Sequence, residues 1–220
     1  MKGIIFDMDG VLIDSEPQQV EFDIKILSRF GIKSKPEDFV SFTGVNSLKV
    51  FEFFQKKYNL DVSAEQLYQM KKELIVEEFK TSLHIMPKFE EMKEALALIR
   101  GAKFAIASSS PRALVDVVIK QLGFEDFLSA SITGDEVFNS KPLPEIYHKA
   151  AALLNLDEKD CLVLEDSKNG IKSALDAGME VVGFFPPNSN NKDYSQVKYK
   201  ITSLDEFPFY VQKFVNMSLS

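Results

Sequence analysis

The chain has no tryptophan, one cysteine and two histidines, and it carries no long apolar run. Roughly 20 consecutive apolar residues are needed to cross a bilayer as a helix, so a membrane-spanning protein is not expected. Nor does a basic segment lead into a short apolar stretch at the N-terminus, as a secretory signal would. The single Cys161 excludes an internal disulfide framework and suits a reducing compartment. It sits in the run CLVLED and reads as a core residue. His84 and His148 have no metal-ligating partner at useful spacing and read as structural. Positive charge is scarce too, and a net charge of -7 argues against non-specific binding to nucleic acid. Any phosphorylated ligand would need local cations. A soluble, cytoplasmic protein is the expectation.

What is present is ample core material, with nineteen phenylalanines among 45% hydrophobic residues. Short apolar runs at 2–6, 103–107, 129–133, 161–164 and 180–184, with a last one near 199–202, read as strands. Four of the first five are poor in charge, the pattern of strands buried on both faces of a parallel sheet. Helical periodicity separates them. Phe89, Met92, Leu96 and Ile99 fall three or four apart between Pro87 and Gly101. In SPRALVDVVIKQLG, Ser110 is the expected N-cap, Pro111 the first helical residue and Gly123 the stop. This alternation predicts an α/β fold with a doubly wound, Rossmann-like parallel sheet.

Residues 15–82 break the alternation. They show three helical patterns and no convincing strand, and Ser63 with Gln66 has the spacing of a capping box. So long a connection predicts an all-helical cap domain inserted at 15–82, between a core of 1–14 and 83–220.

Parallel sheets bind ligands beyond the carboxyl ends of their strands. The residues expected there are Asp7 and Asp9 after the first strand, and Ser108 and Ser109 after the second. Lys141 lies in the loop after the third, and Glu165 and Asp166 follow the fourth. Asp7 and Asp9 are two like charges close together, a costly pairing unless a cation intervenes. Asp7 and Asp166, aided by Glu165, make a hard oxygen site suited to Mg²⁺. Ser108 can donate to a phosphoryl oxygen and Lys141 can neutralise its charge, which leaves Asp9 to carry a proton. The DxDG segment does not fit a calcium loop, because Gly10 falls at the fourth position of such a loop and no Glu stands at the twelfth.

With these residues assembled, the chain resembles the haloacid dehalogenase superfamily of phosphotransferases. FDMDGVLIDSEP, IASSS, SKPLPEIY and VLEDSKNGIKSALDAGM match its four motifs in order. The resemblance implies that Asp7 attacks phosphorus and forms an aspartyl-phosphate, with Asp9 as general acid and base. It implies Mg²⁺ held by Asp7, the backbone carbonyl of Asp9 and Asp166, with Glu165 nearby. It also implies cap contacts to substrate, for which Glu16, Gln19, Gly44, Asn46 and Lys49 are the candidates. The wording of the first motif is most similar to the β-phosphoglucomutase and sugar-phosphatase branch.

A mutase of that branch would carry a cap histidine where this chain has Gln19, and an arginine where it has Ser47. Lys49 or Arg112 could replace that arginine as the anchor for a second phosphate. The expectation is therefore a monomeric Mg²⁺-dependent phosphatase of a small phosphorylated metabolite. A hexose-phosphate mutase and a non-catalytic scaffold of the same fold are the alternatives.

Overall fold

The computed structural model describes residues 1–42, 47–187 and 196–217. Its described residues divide into two compact units, Met1–Asp14 with His84–Ser220, and Ser15–Leu83.

The first unit is built on six strands: β1 (Lys2–Phe6), β2 (Ala102–Ser108), β3 (Ala130–Thr133), β4 (Cys161–Glu165), β5 (Glu180–Phe184) and β6 (Tyr199–Ile201). They lie in the order β3-β2-β1-β4-β5-β6, and every pairing is parallel. β1 is therefore central. The chain moves outward from it to β2 and β3, then returns to build β4 on its other side. That reversal is the topological switch point at which open α/β sheets bind ligands.

Side chains alternate across a strand, and β1 uses both faces for core. Ile5 packs with Tyr147, Ala150 and Ala174 from α6 (Glu145–Leu154) and α7 (Lys168–Asp176). Phe6 turns to the other face, where its ring lies 6.3, 6.1 and 5.8 Å from those of Phe104, Phe124 and Phe207. The phenylalanine surplus is used here, since aromatic pairs bury large areas in these tilted and offset arrangements. Cys161 is buried and its thiol is pushed up to about 12, first by burial and then by Asp160 and Glu158. It is a core residue, as its setting in the sequence suggests.

Two helices differ from the sequence expectation. α4 (Phe89–Ala97) stops before Gly101, because the chain turns at Leu98–Gly101 to enter β2. α5 (Arg112–Gln121) is capped by the extended backbone of Pro111, not by Ser110. The Ser110 hydroxyl has another partner, described below.

The second unit holds α1 (Glu16–Ser28), α2 (Ser47–Tyr58) and α3 (Ala64–Phe79), and none of its described residues is in a strand. Ser63 and Gln66 form the reciprocal capping box at the start of α3. The interior is mainly apolar but contains a buried ion pair. Lys71 of α3 is 1% exposed, and its Nζ lies 2.7 Å from Asp23 Oδ1 of α1. The same ammonium donates to Ser47 Oγ at 2.7 Å and to the Gln19 carbonyl at 3.1 Å. One buried cation thus ties three helices together.

Candidate active site

The four loops that leave β1, β2, β3 and β4 at their carboxyl ends carry the candidate residues. Asp7 directly follows β1, and its N–H donates to the Leu164 carbonyl at 3.0 Å. The neighbouring strand therefore fixes the backbone from which its side chain projects. The chain then turns through Met8–Ile13, with Gly10 at φ +81°. Any Cβ on Gly10 would come within 2.4 Å of Asp166 Oδ2, so only glycine lets this turn lie against the Asp166 carboxylate.

Lys141 is the hub. Its Nζ lies 2.5 Å from Asp7 Oδ1 and 2.8 Å from Glu165 Oε1, and donates to the Ala107 carbonyl at 3.2 Å. Its side chain is 7% exposed, so these are buried, charge-assisted contacts. Glu165 is enclosed completely. Its Oε1 also accepts from the buried Tyr147 hydroxyl at 3.2 Å. Its Oε2 accepts from the Ser167 N–H at 2.8 Å and the Ser167 hydroxyl at 3.0 Å. Ser167 in turn caps α7 by accepting the Gly170 N–H at 3.0 Å.

The balance of charge is uneven. Oxygens of Asp7, Glu165 and Asp166 all lie within 4.8 Å of one another. Burial, and then repulsion from Glu165 and Asp7, pushes the Asp166 carboxyl up to about 9. Asp7 is pushed up to about 8, mainly by burial, although Lys141 opposes the shift. Burial works against the Lys141 charge, yet Asp7 and Glu165 outweigh it and hold the ammonium well above the ordinary lysine range. One cation faces three clustered carboxyl groups. Hard oxygen donors of this number and spacing suit Mg²⁺.

Asp9 occupies a different setting. Its Oδ2 accepts a hydrogen bond from the Ser110 hydroxyl at 2.8 Å. Of the two serines expected at the phosphoryl group, Ser108 is buried and its Oγ accepts the Ser110 N–H at 3.0 Å, whereas Ser109 is exposed. The local signal of a serine before a proline suggests a helix cap and hides the tertiary role of Ser110. Tyr147 and Ser167 also belong to the network, although nothing in their helix-forming segments distinguishes them from packing or capping residues.

Arg112 does not stand open as a phosphate anchor. Its guanidinium pairs with Glu136, donates to Ser131 Oγ at 2.7 Å and contacts Asp116 at 3.3 Å. In the second unit Lys49 is exposed on α2, and the Gln19 carbonyl is bound by Lys71. Gly44, Asn46 and the Glu16 side chain lie outside the described residues.

Comparison with known proteins agrees with this geometry. The family of haloacid dehalogenase-like hydrolases matches residues 4–184. The chain is 30% identical over 186 residues to the phosphorylated carbohydrates phosphatase of Thermotoga maritima, covering 82% of this chain and 83% of that one. It is 27% identical over 206 residues to hexitol phosphatase B of Escherichia coli, covering 92% of each. Among solved structures, a family IA hydrolase from Entamoeba histolytica superposes with a TM-score of 0.79 at 25% identity, covering 98% of this chain and 100% of that one.

Proposed function

The chain belongs to the haloacid dehalogenase-like hydrolase family, and we propose that it is a Mg²⁺-dependent phosphatase of small phosphomonoesters, sugar phosphates foremost. The observation that carries this reading is the separation of two nearby carboxylates. Asp7 is buried and faces Lys141, whereas Asp9 is held by a neutral hydroxyl. Each is thereby suited to a different task.

Asp7 and Asp166 would hold Mg²⁺, with the Asp9 carbonyl as a further oxygen. Glu165 stands close enough to contribute, but its oxygens are engaged by Lys141, Tyr147 and Ser167, and its main work is to fix the lysine. When bound, Mg²⁺ supplies positive charge to the phosphoryl oxygens and keeps the carboxylates ionised. An Asp7 oxygen attacks phosphorus, and the bond from phosphorus to the ester oxygen breaks. Asp9 gives its proton to the departing oxygen. A water molecule then attacks the aspartyl-phosphate and loses a proton to Asp9, and the Asp7–phosphorus bond breaks to release phosphate. Lys141 and the buried Ser108 neutralise and orient the phosphoryl group in both steps, a contribution made by positioning and electrostatics.

The occupied Arg112 favours the phosphatase over the mutase, because a mutase must keep hold of a second phosphate while its intermediate turns. The test is a product-resolved assay on β-glucose 1-phosphate and a panel of sugar and hexitol phosphates, with Mg²⁺ or EDTA. Mg²⁺-dependent phosphate release, lost in Asp7→Asn, is the expected result. Glucose 6-phosphate formed with little free phosphate would overturn it.

A further inference from the structure

Lys141 must deliver its ammonium to Asp7 from a loop that packs only lightly, through the partly buried Val137. Apart from the Lys141 side chain, no residue between 134 and 145 is fully buried, and Phe138 is 96% exposed. The loop is tied further by polar contacts on either side of the lysine. On the N-terminal side, Glu145 accepts the Phe138 N–H through Oε1 at 2.9 Å. Its Oε2 accepts the Asn139 N–H at 2.9 Å and the Asn139 side-chain amide at 3.0 Å. On the C-terminal side, the buried Ser173 of α7 donates to the Leu143 carbonyl at 2.7 Å. The Phe138 N–H, the Lys149 ion pair and the Asn139 groups hold the Glu145 carboxyl down to about 2, so it stays an acceptor across the working pH range.

We propose that Glu145 and Ser173 are paired positioning residues that brace the loop on both sides of Lys141 and so set the reach of its ammonium to the reacting phosphoryl group. The kinetic consequence rests on the phosphatase reading; the geometric one does not. Helix stabilisation alone would require only the Glu145–Lys149 pair at 2.9 Å, four residues apart. The contacts to Phe138 and Asn139 run backward into the loop and do nothing for the helix. Ser173 acts from a different helix on the opposite flank.

The test compares Glu145→Ala, Glu145→Gln, Ser173→Ala and the Glu145→Ala/Ser173→Ala double variant with Lys172→Met, which removes an exposed ion pair to Asp176 within α7 and leaves the brace. Each full-length protein is treated briefly with acetic anhydride, and labelling is read lysine by lysine by mass spectrometry. Melting temperature and kinetics on the best wild-type sugar phosphate are measured in parallel. Loosening the brace should speed Lys141 acetylation about tenfold through local opening, with other lysines unchanged. It should lower kcat about 10- to 100-fold, the scale of a misplaced catalytic group, with a smaller change in KM. Lys172→Met should leave both close to wild type. Unchanged Lys141 labelling and unchanged kcat in a folded double variant would overturn the proposal, and the single variants decide it should the double variant not fold. If the wild type hydrolyses no phosphomonoester, the phosphatase reading fails alone, and the labelling comparison still decides the brace.

Discussion

Gly170 lies so close to Glu165 that a Cβ there would sit 1.5 Å from Oε1 and 2.0 Å from the carboxyl carbon. The first turn of α7 is therefore packed directly on the carboxylate that anchors Lys141. Gly170→Ala must displace either the helix or the carboxylate. The overpacking and the lost charged hydrogen bonds together should cost about 2–4 kcal/mol. Chemical denaturation measures that cost, and kcat should fall with it because Lys141 loses its anchor. A Gly170→Ala protein with wild-type stability and turnover would show that Glu165 does not need this position.

The raised carboxyls of Asp7 and Asp166 make a signed prediction about pH. Their values rise from 3.8 to about 8 and about 9, so the folded protein keeps protons that the unfolded chain has released. Without metal, stability should be greatest below about pH 4 as far as these groups are concerned. It should then decline as pH rises through the folded values. Lys141 does not offset the decline, since a raised lysine contributes fully below its ordinary 10.5. Mg²⁺ needs the ionised carboxylates, so the rise in melting temperature on adding it should be larger at pH 9 than at pH 6. Equal stabilisation at both values would contradict the assignment of these groups.

Ser110 should matter most where proton donation matters most. Removing its hydroxyl takes away a hydrogen bond that orients the Asp9 side chain. Ser110→Ala should lower kcat about tenfold on alkyl phosphates, a part of the roughly 10²–10⁴-fold that general acid–base catalysis supplies. On 4-nitrophenyl phosphate, whose leaving group needs little help, the loss should be smaller. Equal losses on both would mean that Ser110 does not act through Asp9.

The buried pair in the helical unit predicts non-additive stability. Burial raises the Asp23 carboxyl and lowers the Lys71 ammonium, each against the attraction of the other. Lys71→Met leaves Asp23 buried and unpaired and should cost about 3–5 kcal/mol. Adding Asp23→Leu should recover most of that loss, because the two charges then leave together. Additive losses in denaturant titrations would contradict the coupling.

How much of this was legible in the sequence follows from where each residue acts. Ile4–Phe6 and Cys161–Leu164 announce buried parallel strands because both faces are covered, and Asp7 and Asp166 follow them within two residues, at the ends where such sheets place their chemistry. Ser110 misled for a physical reason. A serine before a proline is a good local cap, but a contact to Asp9, 101 residues away, takes its hydroxyl. Tyr147 looks like one more apolar helix residue, and its hydroxyl matters only because the fold brings Glu165 beneath it. Glu145 and Ser173 were silent likewise, since loop closure is invisible until the two flanks of the loop are in place.

The most direct test of the whole mechanism is to trap the covalent intermediate. The enzyme is mixed with a ³²P-labelled sugar phosphate and Mg²⁺, quenched in acid within the first turnover, and digested for peptide mapping. Label should appear as an acid-stable, base-labile acyl phosphate on Asp7, absent with EDTA and in Asp7→Asn. Rapid phosphate release with no labelled peptide, or label on any other residue, would contradict the assignment of Asp7 as nucleophile.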